Sequence, residues 1–146
     1  MPKINRSALV PYTPEKMYVL VDNVLDYPNF LPWCRSSQEQ NRTENEVCAS
    51  VEIAKGIVNK SFTTHNRLQP HKSIEMQLVD GPFRRLHGIW QFKALGKQAC
   101  KISLDLDFEF SNRLISMTLG PVFNQVANTL VDSFVAQAKR VYGQDR

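Results

Sequence analysis

Cysteine is scarce in this chain of 146 residues: Cys34, Cys48 and Cys100 stand at irregular spacing. An odd number with no CxxC or CxxH pair gives neither a disulfide framework nor a zinc motif, so each thiol is read as a small buried hydrophobe. Glycine is sparse too, 6 residues beside 8 prolines, which excludes collagenous and low-complexity chains. No window reaches the ~20 apolar residues of a membrane span. The opening MPKINRSALV lacks the cationic-then-apolar layout of a secretory signal, so a cytosolic protein is expected. Catalytic signatures are missing as well. No GxSxG, Walker, GxGxxG or HExxH pattern occurs, and no enzyme is expected.

What is present suits one domain spanning 1–146. Hydrophobic residues make up 42% and charged residues 22%, enough for a core without staples. The formal charge is +4, and its placement is uneven. Residues 72–101 hold 6 Lys/Arg against 2 Asp/Glu, so this segment carries the whole excess, on Lys72, Arg84, Arg85, Lys93, Lys97 and Lys101. Such a segment is either a solvated strand face or an attractor of RNA or an anionic membrane surface.

Periodicity divides the chain into elements. Lys3 to Val10 reads as a short strand. Thr13-Pro14-Glu15 opens a helix, with a hydroxyl cap and proline at its first position, and Met17, Leu20, Val21 and Val24 follow at helical spacing. Asp26-Tyr27-Pro28 starts a second short helix that Pro32 limits. From Ser36 the period is two. Val47, Ala49, Val51 and Ile53 share a face; Val58 to Leu68 is a more polar strand; Ile74, Met76 and Leu78 follow, then Leu86, Trp90 and Phe92. Ile102, Leu104, Leu106, Phe108 and Phe110 complete the series, with turns at Lys55-Gly56, Pro70-His71, Asp80-Gly81-Pro82 and Leu95-Gly96-Lys97. Consecutive hairpins with one dry and one wet face predict an antiparallel sheet. Leu119, Val122, Phe123, Val126, Leu130, Phe134, Ala138 and Val141 then form a helical stripe, over a main helix from Pro121 to Tyr142. Gly120-Pro121 either kinks a longer helix beginning near Asn112 or separates two helices. The order is strand, two helices, six strands, long helix: an α+β chain whose helix covers the dry face and can leave an apolar cavity beneath it.

Chemistry-bearing side chains do not converge in this pattern. His65, His71 and His87 show no metal spacing, and no metal is expected. Asp105, Asp107 and Glu109 line one strand face, where they serve as a solvated edge, as ligands of a hard cation or as an acid–base pair; lying opposite the apolar face, they are read as the solvated edge.

Two runs, Tyr27-Pro28-Asn29-Phe30-Leu31-Pro32-Trp33-Cys34 and Asp80-Gly81-Pro82-Phe83-Arg84-Arg85-Leu86-His87-Gly88-Ile89-Trp90-Gln91-Phe92, carry a resemblance. Together they resemble the coenzyme Q-binding Coq protein and ribosome-association toxin RatA family, part of the START-like polyketide cyclase/dehydrase and lipid transport superfamily. The resemblance covers essentially the whole chain. It implies a helix-grip, Bet v1-like fold, in which a curled antiparallel seven-stranded sheet surrounds the long C-terminal helix, with two short helices after strand 1. It also implies two binding activities: an apolar cavity holding ubiquinone or a similar lipid in support of respiration, or attachment to the 50S ribosomal subunit that blocks 70S association. The ligand cavity is expected to involve Phe30, Trp33, Phe83, Trp90, Phe92, Phe108, Phe123 and Leu130. Phe30, Leu31 and Trp33 form either a plug of the core or a lid at the cavity mouth. Arg84 and Arg85 are the expected contacts to RNA or lipid head groups. The implied home is the bacterial cytoplasm, with transient contact at the inner membrane surface; DNA is not an expected partner.

Overall fold

The computed structural model describes residues 3–143, so both ends of the expected 1–146 unit lie outside the described residues. The period-two segments become β1 (Lys3–Val10), β2 (Cys34–Gln40), β3 (Glu46–Lys55), β4 (Val58–Gln69), β5 (Ser73–Asp80), β6 (Phe83–Ala94) and β7 (Cys100–Phe110). All neighbours pair antiparallel, in the order β1-β7-β6-β5-β4-β3-β2. The first two strands therefore occupy opposite edges. The chain crosses between them through α1 (Pro14–Asp22) and a 3-10 helix (Val24–Asn29). Thr13 caps α1 by accepting the Lys16 N–H at 3.2 Å, and Pro14 occupies the first turn, where its missing N–H costs nothing.

Two local features shape the sheet. At Asp80-Gly81-Pro82, Gly81 has φ +149°, and a Cβ there would stand 2.5 Å from the Phe62 Cβ, so the turn closes tightly on β4. At the start of β6 the register shifts between Phe83 and Arg85. This bulge buries Phe83 and Leu86, three residues apart, while Arg84 and Arg85 both lie on the wetter side.

The last helix, α2 (Arg113–Tyr142), is one continuous element of 30 residues, about 45 Å long at 1.5 Å rise. Of the two sequence readings, the longer helix is the one formed, capped by Asn112, whose Oδ1 accepts the Ile115 N–H at 2.9 Å. Pro121 is tolerated inside it on the exposed side, where water can serve the carbonyl it leaves unpaired. The apolar stripe faces the sheet, and α2 packs on β1, β4 and β7. Val141, expected in that stripe, is instead 52% exposed, because Ala138 is the last stripe residue the core encloses. Tyr12 donates to Gly143 O at 2.7 Å and Tyr142 to Lys16 O at 2.9 Å, fastening the helix end to α1.

Buried side chains form two clusters. One gathers Met17, Ile74, Trp90, Phe92, Ile102, Leu104 and Phe134; the other gathers Ile53, Phe83, Leu86, Phe108, Phe110, Leu119 and Phe123. Phe134 is fully buried and meets Tyr27, Phe30 and Trp90 edge-on, at 5.5, 5.5 and 5.4 Å between ring centroids. It thereby joins α2, the 3-10 segment and β6. Phe134→Ala is expected to cost about 3–5 kcal/mol in urea unfolding, against under 0.5 kcal/mol for Ser at the fully exposed Ile57. A loss below 1 kcal/mol at Phe134 would contradict this view of the core.

Candidate ligand cavity

The concave face of the sheet is not filled everywhere. Where the walls carry Ala49, Thr64 and Ala127, short side chains leave a partly enclosed cavity of about 90 Å³, measured as room for the centres of water molecules. A single water needs roughly 10–15 Å³ by that measure, so the space takes a ring-sized group and not a long chain. Its walls come from both clusters, with Trp90 and Leu104 from one and Leu86, Leu106 and Phe123 from the other. Val126, Ala127 and Leu130 of α2 form the roof.

The expected cavity residues divide into two sets. Trp33, Trp90, Phe123 and Leu130 line the space. Phe30, Phe83, Phe92 and Phe108 do not. Phe30 packs on Tyr27 and Phe134, while Phe92 stands 5.6 Å from Tyr18. Phe83 and Phe108 belong to a ring cluster with Phe110 and Phe123, at 4.8–6.5 Å between centroids. Within the FLPW run, Leu31 is the plug, 1% exposed, and Trp33 is the part that reaches the cavity.

Sequence reasoning did not single out Thr64 and Asn66. Both lie on the inner face of β4, both line the cavity, and they are 5% and 6% exposed. The available signal was the polar character of this strand in the middle of a sheet whose other inner faces are apolar.

No Asp, Glu, Lys, Arg or His belongs to the cavity wall among the described residues. Its one titratable group, Tyr27, has its phenol pKa pushed upward by burial, and its hydroxyl donates to Val21 O at 2.5 Å. A charged guest would be desolvated there without a counter-charge, so the walls select a neutral one. Outside lies a second, more polar cleft of about 260 Å³ bounded by Pro32, Lys55, Gln125, Thr129 and Ser133. Trp33 and Val126 border both spaces, so the Trp33 indole stands between cavity and cleft. Lys55 Nζ hydrogen-bonds Gln125 Oε1, tying the β3–β4 hairpin to α2 beside the cleft.

The histidines sit elsewhere, each against a glutamate: His65 with Glu46 at 2.6 Å, His87 with Glu75 at 2.8 Å, and His71 with Glu15 at 3.7 Å. No group of three metal-ligating side chains occurs among the described residues. Arg84 and Arg85 lie in β6, just past the turn, and meet carboxylates of β7. Arg85 pairs with Asp107 at 2.8 Å and Glu109 at 3.4 Å, and Arg84 with Glu109 at 3.6 Å. The Arg85 hydrogen bond holds the Asp107 carboxyl below the usual carboxylate range, so this pairing persists at neutral pH and is lost as acid protonates Asp107.

A curled antiparallel sheet gripping one long helix over an apolar cavity is the START-like α+β architecture. The chain belongs to the polyketide cyclase/dehydrase and lipid transport family, whose sequence profile matches residues 10–135. It is 52% identical over 140 residues to the ribosome association toxin RatA of Pseudomonas aeruginosa, covering 96% of this chain and 97% of that one. It is also similar to the mitochondrial coenzyme Q-binding protein COQ10 homolog B of Xenopus laevis, 26% identical over 144 residues, 96% of this chain and 59% of that one. Among solved structures, the Zhui aromatase/cyclase of a Streptomyces species superposes with a TM-score of 0.83 over 95% of this chain and 94% of that one, at 13% identity, a likeness of fold alone. No helix of the described residues is long and apolar enough to cross a membrane.

Burial raises the thiols of Cys34, next to Trp33, and of Cys100 to about 11. At pH 8 the native protein is therefore expected to take one iodoacetamide label, at half-buried Cys48, and three after unfolding in urea. Rapid native labelling at Cys34 would show that the segment beside the cavity opens freely.

Proposed function

We propose that the protein binds a neutral lipid with a ring-sized head, of the polyprenyl quinone class, and acts by binding without turnover. The observation that carries this reading is the uncharged apolar cavity between two packed clusters, placed under α2 and bordered by Trp33. The coenzyme Q-binding relative supports the ligand class. The cavity admits the head, so an isoprenoid tail leaves past Trp33 into the outer cleft. Binding free energy then comes from apolar burial, about 25 cal/mol per Å², and responds weakly to salt. Ala49→Leu is expected to fill the space, keep or raise thermal stability, and abolish calorimetric binding of a short-tailed ubiquinone. Unchanged binding in a folded Ala49→Leu protein would remove the cavity from the account.

A second reading, attachment to the large ribosomal subunit, is favoured by the 52% identity to a protein named ribosome association toxin. The Arg84–Arg85 pair offers such a partner little net charge, since Asp107 and Glu109 face it. The opposite end of β6 offers more. Lys93 lies directly across from Lys101 in the β6–β7 ladder, Lys97 is in the connecting turn, and Lys72 O accepts the Phe92 N–H at 2.9 Å. None of these four lysines makes an ion pair among the described residues. Like charges directly opposite each other weaken a ladder, and bound phosphate relieves them. Lys93→Glu is therefore expected to raise stability by about 0.2–1 kcal/mol while weakening sedimentation with the large subunit and flattening its salt dependence. Equal sedimentation at every salt concentration would reduce the lysines to a solvated surface.

A further inference from the structure

We infer that Thr64 and Asn66 form the polar anchor of the cavity, and that its ligand presents an acceptor oxygen, a carbonyl or an ether, to the Asn66 amide. This rests on the cavity-binding reading and narrows it to apolar molecules carrying such an oxygen.

The inner face of β4 runs Phe62, Thr64, Asn66, Leu68, so two polar side chains interrupt an apolar row. Their cross-strand neighbours are no help: Asn66 lies opposite Val47 and Met76, and Thr64 opposite Ala49 and Leu78. The pair serves itself only in part. Thr64 Oγ1 donates to Asn66 Oδ1 at 2.7 Å, which occupies the amide oxygen and fixes the plane of the amide. The Asn66 Nδ2 group, with two N–H donors, has no hydrogen-bond partner among the described residues, although the residue is only 6% exposed and lines the cavity.

A pair kept for structure alone would be satisfied internally or replaced by Val and Leu, which close such a wall at no polar cost. Ligand pockets instead carry a few polar groups in an apolar lining, placed to orient the guest. Because the oxygen of Asn66 is engaged and its N–H groups are free, the wall offers donors. It rewards a guest that accepts, and water serves the amide when the cavity holds no guest.

Two probes of like shape test this: duroquinone, with two carbonyls and a fully methylated ring that leaves Cys48 no free position to attack, and durene, the tetramethylbenzene without them. Affinities are measured for the wild type and Asn66→Leu, together with the side-chain amide signals of Asn66 in proton–nitrogen spectra of the wild type. Asn66→Leu is expected to lower duroquinone affinity about 3- to 10-fold relative to durene, the scale of one hydrogen bond. The Asn66 amide signals should move downfield with duroquinone and not with durene. A duroquinone-to-durene ratio unchanged by the substitution overturns the anchor while leaving the cavity intact. Failure of the wild type to bind either probe overturns the cavity reading and the anchor with it. Should the variant not fold, the wild-type amide signals decide: equal displacement by both probes overturns the inference.

Discussion

Contact between one helix face and a curved sheet is the constraint on which the rest of this molecule depends, and Phe134 is where it is tightest. Its ring touches Trp90 of β6 and the Tyr27 and Phe30 rings of the edge-to-edge connection. The same contact thus seats α2 and holds the segment that leads to Trp33. A second group of rings, around Phe83, Phe108, Phe110 and Phe123, seats the helix nearer its N-terminus. A helix held at two points over a concave sheet spans the space between them. The cavity lies there because Ala49, Ala127 and Thr64 are too short to fill it.

That arrangement ties function to composition in a simple way. Large rings do structural work at both ends, and small or polar residues define the middle. The cavity is neutral, since the charged side chains of the sheet point the other way. Arg85, Asp107, His87 and Glu75 satisfy one another on the outer face. The apolar cavity inside and the charged side chains outside are thereby separated onto the two faces of one sheet.

Much of the architecture was legible from periodicity. Alternation in Cys100–Phe110 assigned each side chain of β7 to its face, and the capping residue Thr13 marks the start of α1, whereas the start of α2 was left open between Asn112 and Pro121. The cavity was less legible, for a physical reason. Alternation tells which face a residue takes; it does not tell whether that residue meets another side chain or empty space. Phe83, Phe92 and Phe108 point inward and are met by other rings, whereas Ala49 points inward and borders the cavity. Thr64 and Asn66 escaped because a polar strand reads as solvated until its neighbours are known. The bulge at Phe83–Arg85 breaks the period where Arg84 and Arg85 stand. Their neutralisation by Asp107 and Glu109 depends on a register that no local pattern displays.

The central claim is that the cavity is occupied by a neutral lipid in the cell. Organic extraction of protein purified from its own host, followed by mass spectrometry, addresses it most directly. The account predicts one dominant apolar species bearing ketone or ether oxygens, near one equivalent per chain. An extract holding only the bulk phospholipids of the host, in host proportions and far below one equivalent, would contradict it.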